Sequence, residues 1–539
     1  MTRYSTHSQT LTIRNEAGPA LNIQQADKVF VTLAAGSQNT LADGASYELA
    51  EGEDEPNAAL YSKADLTING TGALTVEGNY RHGVNSKDDL VVTGGTLTVT
   101  AKEDGLRGKD CVKIADGSFT VTAGRDGVKS SNDEDPTRGF VSIDGGTFAM
   151  DVQDDGVQAA TYLRITGGEG TVKAADHALR SEVEAAMTGG AFTVEAGGKG
   201  MNPETRFTLD GGTLNVTGSD EGIEAEEVIV NDGELNIVAS DDGINAAVAE
   251  RPELPEGAEE GQMPQRPEGD PGTEGAMPQG GRGGMGGAGG PVAANASEDC
   301  LIQINGGMVT VDAGGDGLDS NGYVEVNGGV VLASGSAGGG DSALDCEYGA
   351  KITGGAVILA GATGMAETFT EGTQPFAMVA AEGAAGTNLA VTDEAGTVLV
   401  SYTVPKAFQC AVVSAPGLTE GATGKVIVGG TVTGADSAGY ATGAAVEGGT
   451  TVGFTASTTP SNEVGRMGGG DGGRRGGGPR GGGARDAQGN ATEGEGATAG
   501  EQNGTAPQQG QNTGADQQGT SGQGQQSASA QTPQPEVVA

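Results

Sequence analysis

Carboxylates crowd one short stretch of this chain. In AGRDGVKSSNDEDPTRG, residues 123–139, Asp126, Asn132, Asp133, Glu134 and Asp135 stand among Arg125, Lys129 and Arg138. Oxygen-only donors at this density suit a hard cation, calcium rather than zinc or copper. A Lys or Arg beside such an ion could also serve as the base of a β-elimination, the cation acidifying the proton next to a uronate carboxylate. The plain alternative is a solvated acidic loop, because Asp favours turns for its own hydrogen bonds. The choice depends on the elements that hold the stretch.

Those elements repeat. A DG-hydrophobe step recurs at Asp104-Gly105-Leu106, Asp126-Gly127-Val128, Asp155-Gly156-Val157, Asp242-Gly243-Ile244 and Asp316-Gly317-Leu318. Degenerate copies stand at His82-Gly83-Val84, Lys199-Gly200-Met201 and Glu221-Gly222-Ile223. The hydrophobes fall at 84, 106, 128, 157, 179, 201, 223, 244, 318 and 344, mostly 22 residues apart. A glycine turn runs in phase, ending at Gly95, Gly117, Gly146, Gly168, Gly190, Gly212, Gly233, Gly307, Gly329 and Gly355. Apolar residues alternate on either side of it, as in Val141 and Ile143 or Phe192 and Val194. Alternation marks short strands with one buried face. Three short strands per repeat with glycine at the corners describe one coil of a parallel β-helix, and the register predicts about ten coils of ~22 residues over 1–360.

Two steps are long. The 29-residue step places seven extra residues in the opening stretch. The 74-residue step holds a Pro/Gly/Glu-rich segment, 249–297, with little to bury, which predicts a disordered insert. Residues 361–461 still alternate and are expected to form a small β cap over the last coil, whose edge would otherwise be open. Residues 462–539 are Gly, Gln, Ser and Thr-rich and predict a disordered tail.

Stacking gives the acidic stretch a geometry. Residues one repeat apart lie about 4.8 Å apart. Asp88, Asp110 and Asn132 then form one column, with Asp89 beside it, and Asp104, Asp126 and Asp155 form another. The seven extra residues bring Asp133, Glu134 and Asp135 to the same edge. One calcium ion could sit between two rungs. Lys87 and Lys109 stack, as do Arg107 and Lys129, and these four are the candidates for contact with an anionic sugar.

Composition narrows the partner. The formal charge is −44, so nucleic acid is a poor partner for the whole chain; the arginines of the tail do not outweigh it. An anionic polysaccharide needs divalent cations as a bridge. Trp is absent, which argues against a flat stacking platform for neutral glucan. Cys111, Cys300, Cys346 and Cys410 have no CxxC spacing, so zinc and redox motifs are not expected. No apolar run reaches the ~18 residues of a membrane span. The start, MTRYSTHSQTLTIRNE, lacks a signal-peptide core.

The segments SKADLTINGTGALTVEGNYRHGVNSKDDLVVTGGTLTV and KEDGLRGKDCVKIADGSFTVTAGRDGVKSSNDEDPTRGFVSIDGGTF resemble the bacterial carbohydrate-binding domain-containing proteins, adhesin-like β-helices of cellulolytic clostridia. NSKDDL, GLRGKD and DGVKSSNDED are the specific parts, and the likeness covers roughly 11–460. The resemblance implies a right-handed parallel β-helix with bound calcium, as in polysaccharide lyases. It further implies binding to polygalacturonate and cellulose, and a secreted or surface-attached protein. Such proteins have a signal peptide and further coils before the segment that begins here at residue 11, so the expectation is either a true start upstream or a truncated copy.

Taken together, the expectation is a monomeric, extracellular or cell-surface, calcium-dependent binding protein for acidic plant cell-wall polysaccharide, with cellulose the second ligand the resemblance implies. Two alternatives stand beside it. One is a pectate-lyase-like enzyme using Lys109, Lys129 or Arg107 as base. The other is a surface spacer in which calcium only rigidifies the coils. A glycosidase would need two carboxylates across one sugar, which this many carboxylates neither exclude nor single out.

Overall fold

Each repeat of the chain contributes three strands, and each strand pairs in parallel with its counterpart one repeat on. The structure, a computed structural model, describes residues 10–248, 296–338 and 340–460. Among these residues there is no α-helix, and the fold is all-β. Three-residue strands from Leu106–Gly108 through Val128–Ser130 to Leu344–Cys346 belong to a twelve-stranded sheet. Four-residue strands such as Phe140–Ile143, Tyr162–Ile165 and Glu184–Met187 stack in a second series. Six-residue strands such as Thr147–Val152, Glu169–Ala174 and Ala191–Ala196 stack in a third, and both series lie in one 26-stranded sheet. The predicted insert and tail lie outside the described residues, apart from Ala296 and Ser297.

Alternation decides which side chains point inward. Val141 and Ile143, Phe148, Met150 and Val152, and Val157 and Ala159 are all buried, and they form one continuous apolar column with their counterparts. Phe119, Phe148 and Phe192 stack within it at 4.9 and 5.8 Å between ring centroids. Gly170 occupies the rung between Phe148 and Phe192, so the two rings meet across a position without a side chain. The corner glycines repeat one conformation: Gly146, Gly168, Gly190 and Gly212 have φ of 98, 86, 88 and 88°. Only glycine takes that conformation without strain. Beside this corner, Asn231 donates to Asp210, Asn305 to Asn231, and Asn327 to Asn305, at 2.7, 2.8 and 2.9 Å. The amides thus pin successive repeats at the same turn.

The register survives the 74-residue step. Glu227–Val230 pairs in register with Leu301–Ile304, and Ile244–Ala246 with Leu318–Ser320. At the far end, Cys410–Ser414 pairs antiparallel with Ala356–Gly361, and this pairing ends the parallel series. A four-stranded antiparallel sheet, Val398–Val404, Thr387–Thr392, Thr423–Val428 and Thr450–Thr455, follows. It packs through Tyr402, Val404 and Phe454 on the outward side chains Leu332, Ile358 and Ala360. Tyr402 donates its hydroxyl to the Val311 carbonyl, and Lys406 pairs with Asp312. The four cysteines are buried and free.

Candidate functional site

Two columns of polar side chains run along the twelve-stranded sheet. One occupies its outward face: Asn85, Arg107, Lys129, Gln158, Arg180, Asn202, Glu224, Asn245, Asp319 and Asp345. The other sits at the turn before each strand: His82, Asp104, Asp126, Asp155, His177, Lys199, Glu221, Asp242 and Asp316.

The turn column is first of all a structural ladder. His82 Nδ1 accepts the Asp104 N–H at 3.3 Å, Asp126 accepts that of Asp155 at 3.2 Å, and Asp155 that of His177 at 3.1 Å. His177 Nδ1 accepts from Lys199, and Asp242 from Asp316. At these rungs a side chain of one repeat therefore satisfies a backbone donor of the next, which a buried N–H requires. His82 is neutral, its pKa pushed down to about 3 by burial and by Arg107. With Nδ1 accepting a backbone N–H, neither histidine offers a lone pair on that nitrogen to a metal.

The candidate residues therefore separate. Asp104 and Asp126 are fully buried and paired with Arg107 at 2.9 Å and Lys129 at 2.6 Å. Asp155 is buried as well, and burial together with neighbouring Asp126 lifts its pKa to about 7. Asp126→Ala should lose both the Lys129 pair and the acceptor for Asp155, lowering stability by about 2 kcal/mol. Chemical denaturation of the variant checks this, and a loss far below 1 kcal/mol would show that the ladder bears little of the fold.

Asp88, Asp110 and Asn132 do come together. Asn132 donates to Asp110 at 2.6 Å, and Arg138 from the inserted loop pairs with Asp110 and lies 3.7 Å from Asp88 and 3.5 Å from Asp135. Asn132 also accepts the N–H groups of Glu134 and Asp135, which fixes the loop. Asp133 and Glu134 are exposed and do not join this cluster. Asp65, which the repeat spacing did not single out, does join: Asp65, Asp88 and Asp89 each place an oxygen within 4.8 Å of the others. Burial, then Asp65 and Asp89, raise the pKa of Asp88. Twice the usual calcium–oxygen distance is about 4.8 Å, so this donor set fits one calcium ion. Lys28 and Lys113 flank it, 3.0 Å from Asp65 and 3.5 Å from Asp89.

The four candidate cations also differ. Lys87 pairs with Glu55, Arg107 with Asp104 and Lys129 with Asp126. Lys109 forms no ion pair among the described residues and is half-buried next to Asp110. Sequence reasoning also missed Lys199, Glu221 and Glu224, where Lys199 lies 2.8 Å from Glu224 and 3.6 Å from Glu221. Lys199-Gly200 and Glu221-Gly222 had marked only the period; their place in the turn column was the available signal.

Known proteins share these segments. Residues 8–251 match the family model for carbohydrate-binding domain-containing proteins. A curated protein of that description from Acetivibrio thermocellus is 42% identical over 90 residues, 16% of this chain and 32% of its own length. The chain thus spans about a third of that curated relative. A solved structure described as the polysaccharide lyase-like protein from C. thermocellum, a gadolinium derivative, is 33% identical, covering 38% of this chain and 72% of that chain, with a TM-score of 0.29. No helix among the described residues is long and apolar enough to cross a membrane.

Proposed function

We propose that the protein is a non-catalytic, calcium-dependent binding protein for acidic polysaccharide of the polygalacturonate type, acting as a monomer outside the cell or at its surface. The three strand series would close into a right-handed parallel β-helix, with residues 361–461 as its cap. One observation carries the reading: three carboxylates, Asp65, Asp88 and Asp89, gather within reach of one ion, and Lys109, one repeat on from Lys87, forms no ion pair among the described residues. Calcium held there would bridge uronate carboxylates to a chain whose net charge otherwise repels them. Lys109 would add a charge-assisted hydrogen bond. Asp110 and Asn132 would orient the edge. Arg107 and Lys129 are held by Asp104 and Asp126, which disfavours them as bases and places the lyase alternative second.

The test is polygalacturonate binding with calcium and with chelator, following unsaturated uronate absorbance in the same cuvette. The expected outcome is calcium-dependent binding without product. Lys109→Ala should weaken it about tenfold, and Asp88→Asn with Asp89→Asn should abolish its calcium dependence. Product formation would make the chain a lyase. Absence of binding, with melting still dependent on calcium, would leave a structural spacer.

A further inference from the structure

The antiparallel cap meets the large sheet along a groove. The floor is the outward face of the six-residue strands, where Thr193, Asn215, Asn236 and Thr310 occupy successive rungs of one column. Parallel pairing sets these rungs about 4.8 Å apart. The wall comes from the cap, through Thr403, Pro405, Ser437 and Ala438. The groove has a volume of 590 Å³. That lies within the ~300–1,000 Å³ usual for small-molecule sites, which favour junctions of this kind.

The lining is neutral. Among the described residues Asp312 is the one charged side chain that lines the groove, and Lys406 pairs with it. The hydrogen-bonding groups of the floor are only partly used. Asn236 donates to Asn215 at 2.8 Å and to Glu234 at 2.9 Å. That leaves the Asn215 amide N–H groups and the Asn236 carbonyl without a partner among the described residues. The amide ladder at the corner runs on from Asp210 to Asn327, whereas this one stops after a single bond, with threonine on either side of the pair. Thr310 Oγ1 is buried and has no partner. Buried polar groups are normally satisfied, so this hydroxyl points to a group from outside the chain. Apolar surface lies beside these groups: Val238 is 46% exposed, and Pro405 and Ala438 line the same space.

We propose that this groove is a second saccharide site, taking an N-acetylated hexosamine. The acetamido group supplies what the floor lacks. Its carbonyl accepts from the Asn215 amide, its N–H donates to the Asn236 carbonyl, and its methyl rests on Val238. A ring hydroxyl meets Thr310. A uronate is disfavoured, because its carboxylate would find no free cation here and would share the groove with Asp312. A plain hexose lacks the amide and the methyl, and a site built to bond a group rejects the analogue without it. The proposal rests on the carbohydrate-binding reading, but it uses a different face from the Asp65, Asp88 and Asp89 edge, needs no cation and selects a neutral sugar.

The test uses the full chain in chelator and titrates in, by calorimetry, the N-acetylated glucosamine trimer, cellotriose, trigalacturonate and a blocked neutral tripeptide. The N-acetylated trimer should bind about tenfold tighter than each of the others, or better. Asn215→Ala should weaken it about tenfold without lowering the melting temperature. Thr310→Val should weaken it by a similar factor while leaving melting unchanged or raised, since the hydroxyl it removes has no partner within the chain. Calcium-dependent binding of polygalacturonate should be the same in both variants as in the parent, so failure of one site is distinguishable from failure of the other. No binding of the N-acetylated trimer, equal binding of any of the other three ligands, or indifference of its affinity to both substitutions would each overturn the proposal.

Discussion

Acidification from about pH 8 to about pH 5, in chelator, should raise the melting temperature by roughly 5 °C or more. Burial and neighbouring carboxylates lift Asp242 to about 6, Asp316 to about 8 and Asp319 to about 7, from an ordinary value of 3.8. Between the unfolded and folded values, the folded chain holds protons that the unfolded chain has released. Stability therefore falls as pH rises through that window and recovers as it drops. Groups held low act in the opposite direction but at lower pH: Glu55, half-buried yet drawn down by Lys87, loses its contribution only as pH falls below the ordinary carboxylate range. Relief of repulsion in so anionic a chain adds to the gain. Calorimetry at constant ionic strength measures the effect. Asp316→Asn should raise the melting temperature at pH 8 and flatten the profile. A melting temperature that rises with pH would show these carboxylates to be better compensated than their surroundings indicate.

Gly222→Ala should cost about 3 kcal/mol or more and leave much of the protein insoluble. A Cβ at this position would lie 2.3 Å from the Gly243 carbonyl oxygen and 2.4 Å from an Ile237 methyl. The carbonyl belongs to the next repeat's backbone, which cannot yield without breaking its own register. Gly105 and Gly127 meet the same obstacle from Gly127 and Gly156 at 2.7 and 2.6 Å. Denaturant unfolding of the soluble fraction gives the loss. A cost below about 1 kcal/mol would mean that neighbouring repeats can separate locally. Gly36, with nothing within 4 Å but φ of 72°, provides a contrast, because there only backbone strain opposes a side chain.

The strand series was legible because it depends on spacing. Val84, Leu106 and Val128 share one column, and one period predicts all three. The stacks of Arg107 on Lys129 and of Asp110 on Asp88 follow from the same arithmetic. The site was less legible, because spacing says which residues align but not what each one bonds. Asp126 and Asp110 belong to similar motifs, yet one caps a backbone N–H inside the turn and the other faces Arg138. Asp65 was missed since this step is 24 residues rather than 22: Leu66 pairs with Leu90, which sets Asp65 beside Asp89 at the strand starts.

Pairing across the 74-residue step has a consequence for tolerance. Both joined ends are held by strands that keep their neighbours whatever lies between 248 and 296. Doubling the length of a flexible connection there would cost only about 0.6 kcal/mol in closure entropy. The seam is therefore a natural port for grafting: a foreign domain inserted between these rungs should be displayed beside the sheets without altering the register of the strands on either side of it.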